Sequence, residues 1–218
     1  MTTLYGPSMG PAAGGSPRTI VVLLHGVGAD GQDLVDLASV LAPFLPHALF
    51  VAPDAPEPCD MAAFGRQWFS LQDRQPAALL AGIRRTAPLL DAHLDELLAR
   101  HGLDESRLAL LGFSQGAMMA LHVAPRRTRP VAAVLGLSGA LIGAEDLARE
   151  VRSRPPVMLI HGDADDVVPF EAMFAAVAGL QAAGIPVQWI RRPGLAHGID
   201  PEGIAAGGRF LQAMLPPV

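Results

Sequence analysis

Six short apolar runs, most of them rich in Val, Ile and Leu, are separated by longer stretches with helical periodicity, and this alternation limits the fold more than any other feature of the chain. It is how parallel strands joined by crossover helices read in a sequence. The expected strands are Thr19–Leu24, Ala48–Ala52, Leu108–Phe113, Val131–Leu137, Val157–His161 and Val187–Arg191. Helices are expected at about Gln32–Leu41, Pro76–Arg100, Gln115–Val123, Glu171–Ala183 and Ile199–Met214, with a short one near Ala144–Val151. Runs such as Leu108-Ala-Leu-Leu are apolar on both faces, which suits a sheet covered by helices on both sides. The expected class is α/β, with a central, mostly parallel sheet.

At 218 residues the chain falls within the roughly 200–250 that one α/β domain commonly occupies. The Gly- and Pro-rich residues 1–17 are expected to form a flexible arm, with residues 18–218 as the single domain. Pro53–Gln75 holds the sole cysteine, Cys59, together with Trp68 and Phe69, and shows no clear period. It reads as a long loop of the kind that lines a site.

Composition removes several chemistries. One cysteine gives no disulfide framework and no paired-Cys zinc site. All 16 basic residues are Arg, and the chain has neither Lys nor Asn, so a Schiff base, a Ser–Lys dyad, a phosphate loop built on Lys and a Cys–His–Asn triad are all excluded. A net charge of −5 argues against a nucleic-acid partner. No secretory signal is visible before Arg18, which sets the expectation of a cytoplasmic address. The uncharged stretches Leu108–Pro125 and Ala172–Ile190 reach spanning length, but the first holds Ser114, Gln115 and His122 and the second Gln181, Pro186 and Gln188. Stable membrane insertion is not expected.

Gly112-Phe-Ser-Gln-Gly116 stands between an expected strand and an expected helix. A Gly-x-Ser-x-Gly pentapeptide in that setting puts a serine on a strained turn, where its hydroxyl is free to act as a nucleophile. Serine needs a base and an orienting carboxylate. Among the histidines, His197, after the last strand, has the right place in chain order; His93 and His101 read as solvated, His47 as a loop residue, His122 as a core residue, and His25 and His161 as ties for neighbouring loops. The carboxylate comes from Asp163, Asp165 or Asp166, and spacing alone does not choose among them. These three lack the pattern of a calcium loop, so no metal is expected. Gln115, at a helix N-terminus, offers one backbone N–H to an oxyanion, and His25-Gly-Val-Gly28 offers a loop for the second.

Gly26-Val-Gly-Ala-Asp-Gly31 is also a literal Gly-x-Gly-x-x-Gly after a strand, with Asp54 some 23 residues beyond, so a dinucleotide-binding oxidoreductase is the rival reading. A non-catalytic binding module is a third. The rival explains neither the Ser114 turn nor the Asp165 and His197 loops.

Leu24-His-Gly-Val-Gly-Ala-Asp-Gly, Gln67-Trp-Phe, Gly112-Phe-Ser-Gln-Gly, His161-Gly-Asp-Ala-Asp-Asp-Val-Val-Pro and Leu195-Ala-His-Gly together resemble the phospholipase/carboxylesterase family of α/β-hydrolases, which includes acyl-protein thioesterases. The resemblance spans about Arg18 to Pro216 and implies the α/β-hydrolase fold without a separate lid domain. It implies a catalytic Ser114, Asp165 and His197, an oxyanion hole from Val27 and Gln115, and Trp68 near the acyl pocket. Two positions depart from the family: Asp166 stands where thioesterase members usually have Pro, and Val27 where Leu is usual. The expected activity is hydrolysis of short- to medium-chain carboxylic esters in a shallow pocket walled by Trp68 and Phe69, with acyl-protein thioesterase or lysophospholipase as alternatives. A small-molecule ester is the expected partner, no metal or organic cofactor is implied, and a homodimer stays open.

Overall fold

The computed structural model describes residues 4–217. Its main sheet has seven strands: β1 (Ser8–Met9), β2 (Thr19–Leu24), β3 (Ala48–Val51), β6 (Leu108–Phe113), β7 (Ala133–Leu137), β8 (Val157–Gly162) and β9 (Val187–Arg192). Their order across the sheet is β1-β3-β2-β6-β7-β8-β9, and every pair is parallel except β1 with β3. A separate two-stranded ribbon, β4 (Glu57–Pro58) with β5 (Arg66–Gln67), lies within the segment expected to be a plain loop.

Alternation along the strands sorts side chains to two cores. Val22, Leu24, Leu110, Val134 and Leu159 share one face with α3 (Pro76–His101), α4 (Gln115–Val123), α5 (Ala144–Glu150) and α6 (Glu171–Ala182). Val21, Leu23, Leu111, Leu135 and Ile160 face the other way, toward α1 (Gly31–Val35), α2 (Leu37–Leu41) and α7 (Pro201–Met214). The mostly parallel sheet between helical layers is the expected architecture. Among the described residues, no helix is long and apolar enough to cross a membrane.

Differences from expectation have local causes. The helix expected over Gln32–Leu41 is two short helices, with a Ser39 N–H to Asp36 carbonyl bond at the break. The segment before Arg18, expected to be a flexible arm, contributes β1: Ser8 and Met9 pair with Val51 and Phe50, and Leu4 is buried. The Ala52 N–H donates to Pro7 O at 2.9 Å, and Gly6 passes so close to Ala52 that a Cβ would stand 2.1 Å from its oxygen. Two residues of strand are too short to show a period, and backbone hydrogen bonds alone place them on the edge of β3.

Candidate active site

Four loops at the carboxyl ends of the parallel strands meet, where open α/β sheets place their sites. The first is the turn from β6 to α4. Ser114 has φ 53° and ψ −117°, a backbone conformation that L residues rarely hold. Its N–H donates to Leu137 O at 2.9 Å, and its carbonyl accepts the Met118 N–H. The flanking glycines are a steric necessity: a Cβ on Gly112 would stand 2.3 Å from Gly116 O, and one on Gly116 would stand 1.9 Å from Leu24 O.

The loops after β8 and β9 carry Asp165 and His197. His197 Nδ1–H donates to Asp165 Oδ2 at 2.8 Å, and His197 Nε2 lies 3.0 Å from Ser114 Oγ, so the three sequence candidates form one continuous chain of hydrogen bonds. Asp165 Oδ1 accepts the N–H groups of Val167 and Val168, each at 2.9 Å. Burial pushes the Asp165 carboxyl up, but the hydrogen bonds from His197, Val168 and Val167 outweigh it and hold the group below its ordinary value. The His197 ring packs on Phe113 with centroids 4.9 Å apart.

Of the three aspartates that spacing left open, Asp165 is the one that bonds His197. Asp163 turns away to bind Arg191 and the Gly194 N–H at 2.6 Å, while Asp166 is exposed. Asp163 therefore ties down the loop that carries His197, and the three carboxylates do not converge as metal ligands would. The hydrogen bond from the Gly194 amide, and then that from Arg191, hold the Asp163 carboxyl below its ordinary value.

The fourth loop follows β2. A Cβ on Gly26 would lie 3.3 Å from Ser114 Cβ, which brings His25–Gly28 directly beside the serine. Among the described residues, neither the Val27 nor the Gln115 backbone N–H has an acceptor. The β4–β5 ribbon braces this loop: Gly28 N–H donates to Arg66 O at 2.8 Å, and Arg66 N–H donates to Ala29 O at 2.9 Å. The Arg66 guanidinium bonds the Ala55 and Pro56 carbonyls. His25 donates from Nδ1 to Gly26 O and accepts the Ala55 N–H at Nε2, a loop tie as its sequence position suggested. Its pKa is lowered by burial.

Trp68 and Phe69 correct the sequence reading. Both are fully buried, so they wall no open pocket. Trp68 Nε1–H donates to His25 O at 3.0 Å, and the indole ring packs against the His25 ring. The side chain of Gln115 accepts the Trp68 N–H at 2.8 Å and donates to Phe69 O at 2.7 Å. These aromatics support the site from beneath; the exposed apolar side chains on neighbouring loops are Met61, Phe64 and Val167. A second correction concerns His93, which is buried with neither ring nitrogen bonded.

The rival glycine-loop reading has no anion site. Helix α1 has five residues, and its first amides go to the Asp30 side chain. Asp54 takes the Gly31 N–H at 2.9 Å. Carboxylates thus occupy the places a pyrophosphate would need. At the far end of α4 from Ser114, a cleft of about 560 Å³ is lined by Arg84, Pro88, His122, Arg126, Arg149 and Arg152. Its guanidinium groups are largely engaged by Asp146 and Glu150, so it is an ion-pair network between helices.

Comparison with known proteins agrees with this arrangement. A phospholipase/carboxylesterase family model matches residues 12–215. The crystal structure of esterase PE8 superposes with a TM-score of 0.93 at 40% identity, over 98% of this chain and 100% of that one. Acyl-protein thioesterase 1 of Mycosarcoma maydis is 30% identical over 99% of both chains. Esterase YpfH of Escherichia coli (strain K12) is 29% identical over 91% of this chain and 84% of that protein. The chain therefore belongs to the phospholipase/carboxylesterase family and is an ester hydrolase of the α/β-hydrolase fold.

Proposed function

We propose that the protein is a serine carboxylesterase in which Ser114, His197 and Asp165 form the catalytic triad. The observation that carries this reading is the hydrogen-bonded line from Asp165 Oδ2 through both ring nitrogens of His197 to Ser114 Oγ. In the reaction, Ser114 Oγ attacks the ester carbonyl as His197 Nε2 takes its proton. The same nitrogen then protonates the departing alcohol. Asp165 holds the Nδ1–H tautomer, so that Nε2 is the free base. The backbone N–H groups of Val27 and Gln115 receive the oxyanion, a contribution of about 10²–10³ in rate per donor. Water, deprotonated by His197, attacks the acyl-enzyme and frees Ser114.

The proposed substrates are short- to medium-chain esters. Exposed Met61 and Phe64 on the turn of the β4–β5 ribbon, and Val167 beside Asp165, offer apolar surface to an acyl group. The same surface supports the second reading, a thioesterase or lysophospholipase acting on longer chains. Hydrolysis of p-nitrophenyl esters from acetate to decanoate, run beside a palmitoyl thioester and a lysophosphatidylcholine, separates the two. The first reading expects turnover and fluorophosphonate labelling that both vanish in Ser114→Ala, with an optimum at short to medium chains. Wild-type protein that neither turns over nor labels would reject the triad assignment.

A further inference from the structure

His161, the penultimate residue of β8, has no part in the proton transfers just described, yet it stands against the acid of the triad. Its Nε2 lies 3.2 Å from Asp165 Oδ2, the same oxygen that receives His197 Nδ1–H at 2.8 Å. The two side chains are 2% and 0% exposed, so no water screens the contact. The Nε2–H donates to Val168 O at 2.9 Å, and the Val168 N–H donates to Asp165 Oδ1. Asp165, Val168 and His161 thus close a ring around the carboxylate. The plane of the imidazole is fixed by the edge-on Phe170 ring, 6.0 Å away, and its backbone by the pairing of His161 with Arg191 across β8 and β9.

Resting on the triad reading above, we infer that His161 is a positioning residue for the reaction. Its N–H holds the Val168 turn that cradles one oxygen of Asp165, and it presents a positive dipole to the other. In a site shielded from water such a dipole acts strongly on a carboxylate. The consequence is that Oδ2 stays aimed at His197 Nδ1 through both chemical steps. An alkyl side chain at position 161 fills the space and loses this, whereas a glutamine keeps an N–H within reach.

The test compares His161→Leu, His161→Gln, Asp165→Asn and the pair His161→Leu with Asp165→Asn, using p-nitrophenyl ester kinetics, thermal melting and the deshielded Nδ1–H proton of His197 by NMR. His161→Leu is expected to lower kcat by about 10- to 100-fold with KM changed by no more than about twofold, the signature of a misplaced catalytic group. It should also displace the His197 proton resonance. His161→Gln should restore most of the loss, and in the Asp165→Asn background His161→Leu should cost nothing further, since both act through one carboxylate. An unchanged kcat and an unmoved resonance in folded His161→Leu would overturn the inference, as would equal damage in the Leu and Gln variants or fully additive losses in the pair. If Asp165→Asn alone retains wild-type kcat, the triad reading itself is lost; an inactive Asp165→Asn beside an unimpaired His161→Leu removes only the role of His161.

Discussion

Through its side-chain oxygen Gln115 accepts the Trp68 backbone N–H at 2.8 Å, and the other end of the same carboxamide donates to the neighbouring Phe69 carbonyl at 2.7 Å. The residue after Ser114 therefore has two separable parts. Its backbone N–H belongs to the proposed oxyanion hole, and its side chain fastens the Trp-Phe segment under it. The Thr86 hydroxyl adds a third tie at Trp68 O, 2.6 Å away.

Gln115→Ala keeps the backbone donor and strips both ties, leaving a buried N–H and a buried C=O without partners. Each such orphan costs about 1–3 kcal/mol, so a stability loss of about 2–6 kcal/mol is expected by urea unfolding. Gln115→Glu should be worse, because a carboxylate cannot donate to Phe69 O and would be buried. Turnover of folded Gln115→Ala should fall far less than turnover of Ser114→Ala; a comparable fall would mean that the carboxamide itself serves the chemistry.

The strained backbone at Ser114 predicts opposite effects on stability and activity. Positive φ at a non-glycine costs about 1–3 kcal/mol, which glycine does not incur. Ser114→Gly should accordingly be more stable than Ser114→Ala by about 1 kcal/mol in denaturant midpoints, while both lose on the order of 10⁶ in kcat. Equal midpoints for the two variants would show that the turn is relaxed.

Asp165→Asn should drop kcat by about 10⁴, and the hydrogen bonds say why. The Val167 and Val168 amides demand an oxygen at the Oδ1 place, so the asparagine nitrogen faces His197 Nδ1 and forces the tautomer that cannot accept the serine proton. Asp163→Asn keeps an oxygen for the Gly194 N–H and loses only a surface ion pair with Arg191, of the kind that contributes little to stability. Its kcat should stay within about tenfold of wild type by steady-state assay, since the loop bearing His197 keeps its main-chain anchor.

What the sequence disclosed follows from which forces leave a period or a fixed spacing. The β6–Ser114–α4 turn was legible because a buried strand, two obligatory glycines and an apolar helix all fall within one stretch. His197 and the acid loop were legible from their places after β8 and β9. The choice of Asp165 over Asp163 was not legible from spacing and rested on the family resemblance, because both occupy one turn and only the direction of each side chain separates them. Trp68 and Phe69 misled for a related reason: an apolar residue in a long loop looks the same whether it lines a pocket or fills the core beneath one. The Gln115 brace joins segments 47 residues apart in the chain, and no local pattern reports such a bond; the His161 contact spans only four residues, but it depends on the direction in which the turn after β8 aims the Asp165 side chain.

His122 supplies a prediction about acid. It sits near the end of α4, 2% exposed and with no partner at Nδ1; desolvation, helped by the Arg126 charge, lowers its pKa to about 4. The unfolded chain binds a proton at this residue near its ordinary value of 6.5, and the folded protein does not until about 4. Stability from this group is therefore whole above pH 6.5 and is lost as pH falls toward 4, by up to about 3 kcal/mol. Buried His25 and His93, also lowered, act in the same direction, whereas the lowered carboxylates such as Asp165 lose their contribution only below their ordinary value of 3.8. Urea midpoints between pH 7.5 and 4.5 should thus decline for the wild type and decline less steeply for His122→Leu, which has nothing to protonate and leaves no orphan nitrogen. At pH 7.5 the leucine variant should be as stable as the wild type or more so, because an apolar group of similar shape replaces a buried polar one. A slope unaltered by the substitution would assign the acid sensitivity to His25 and His93 instead.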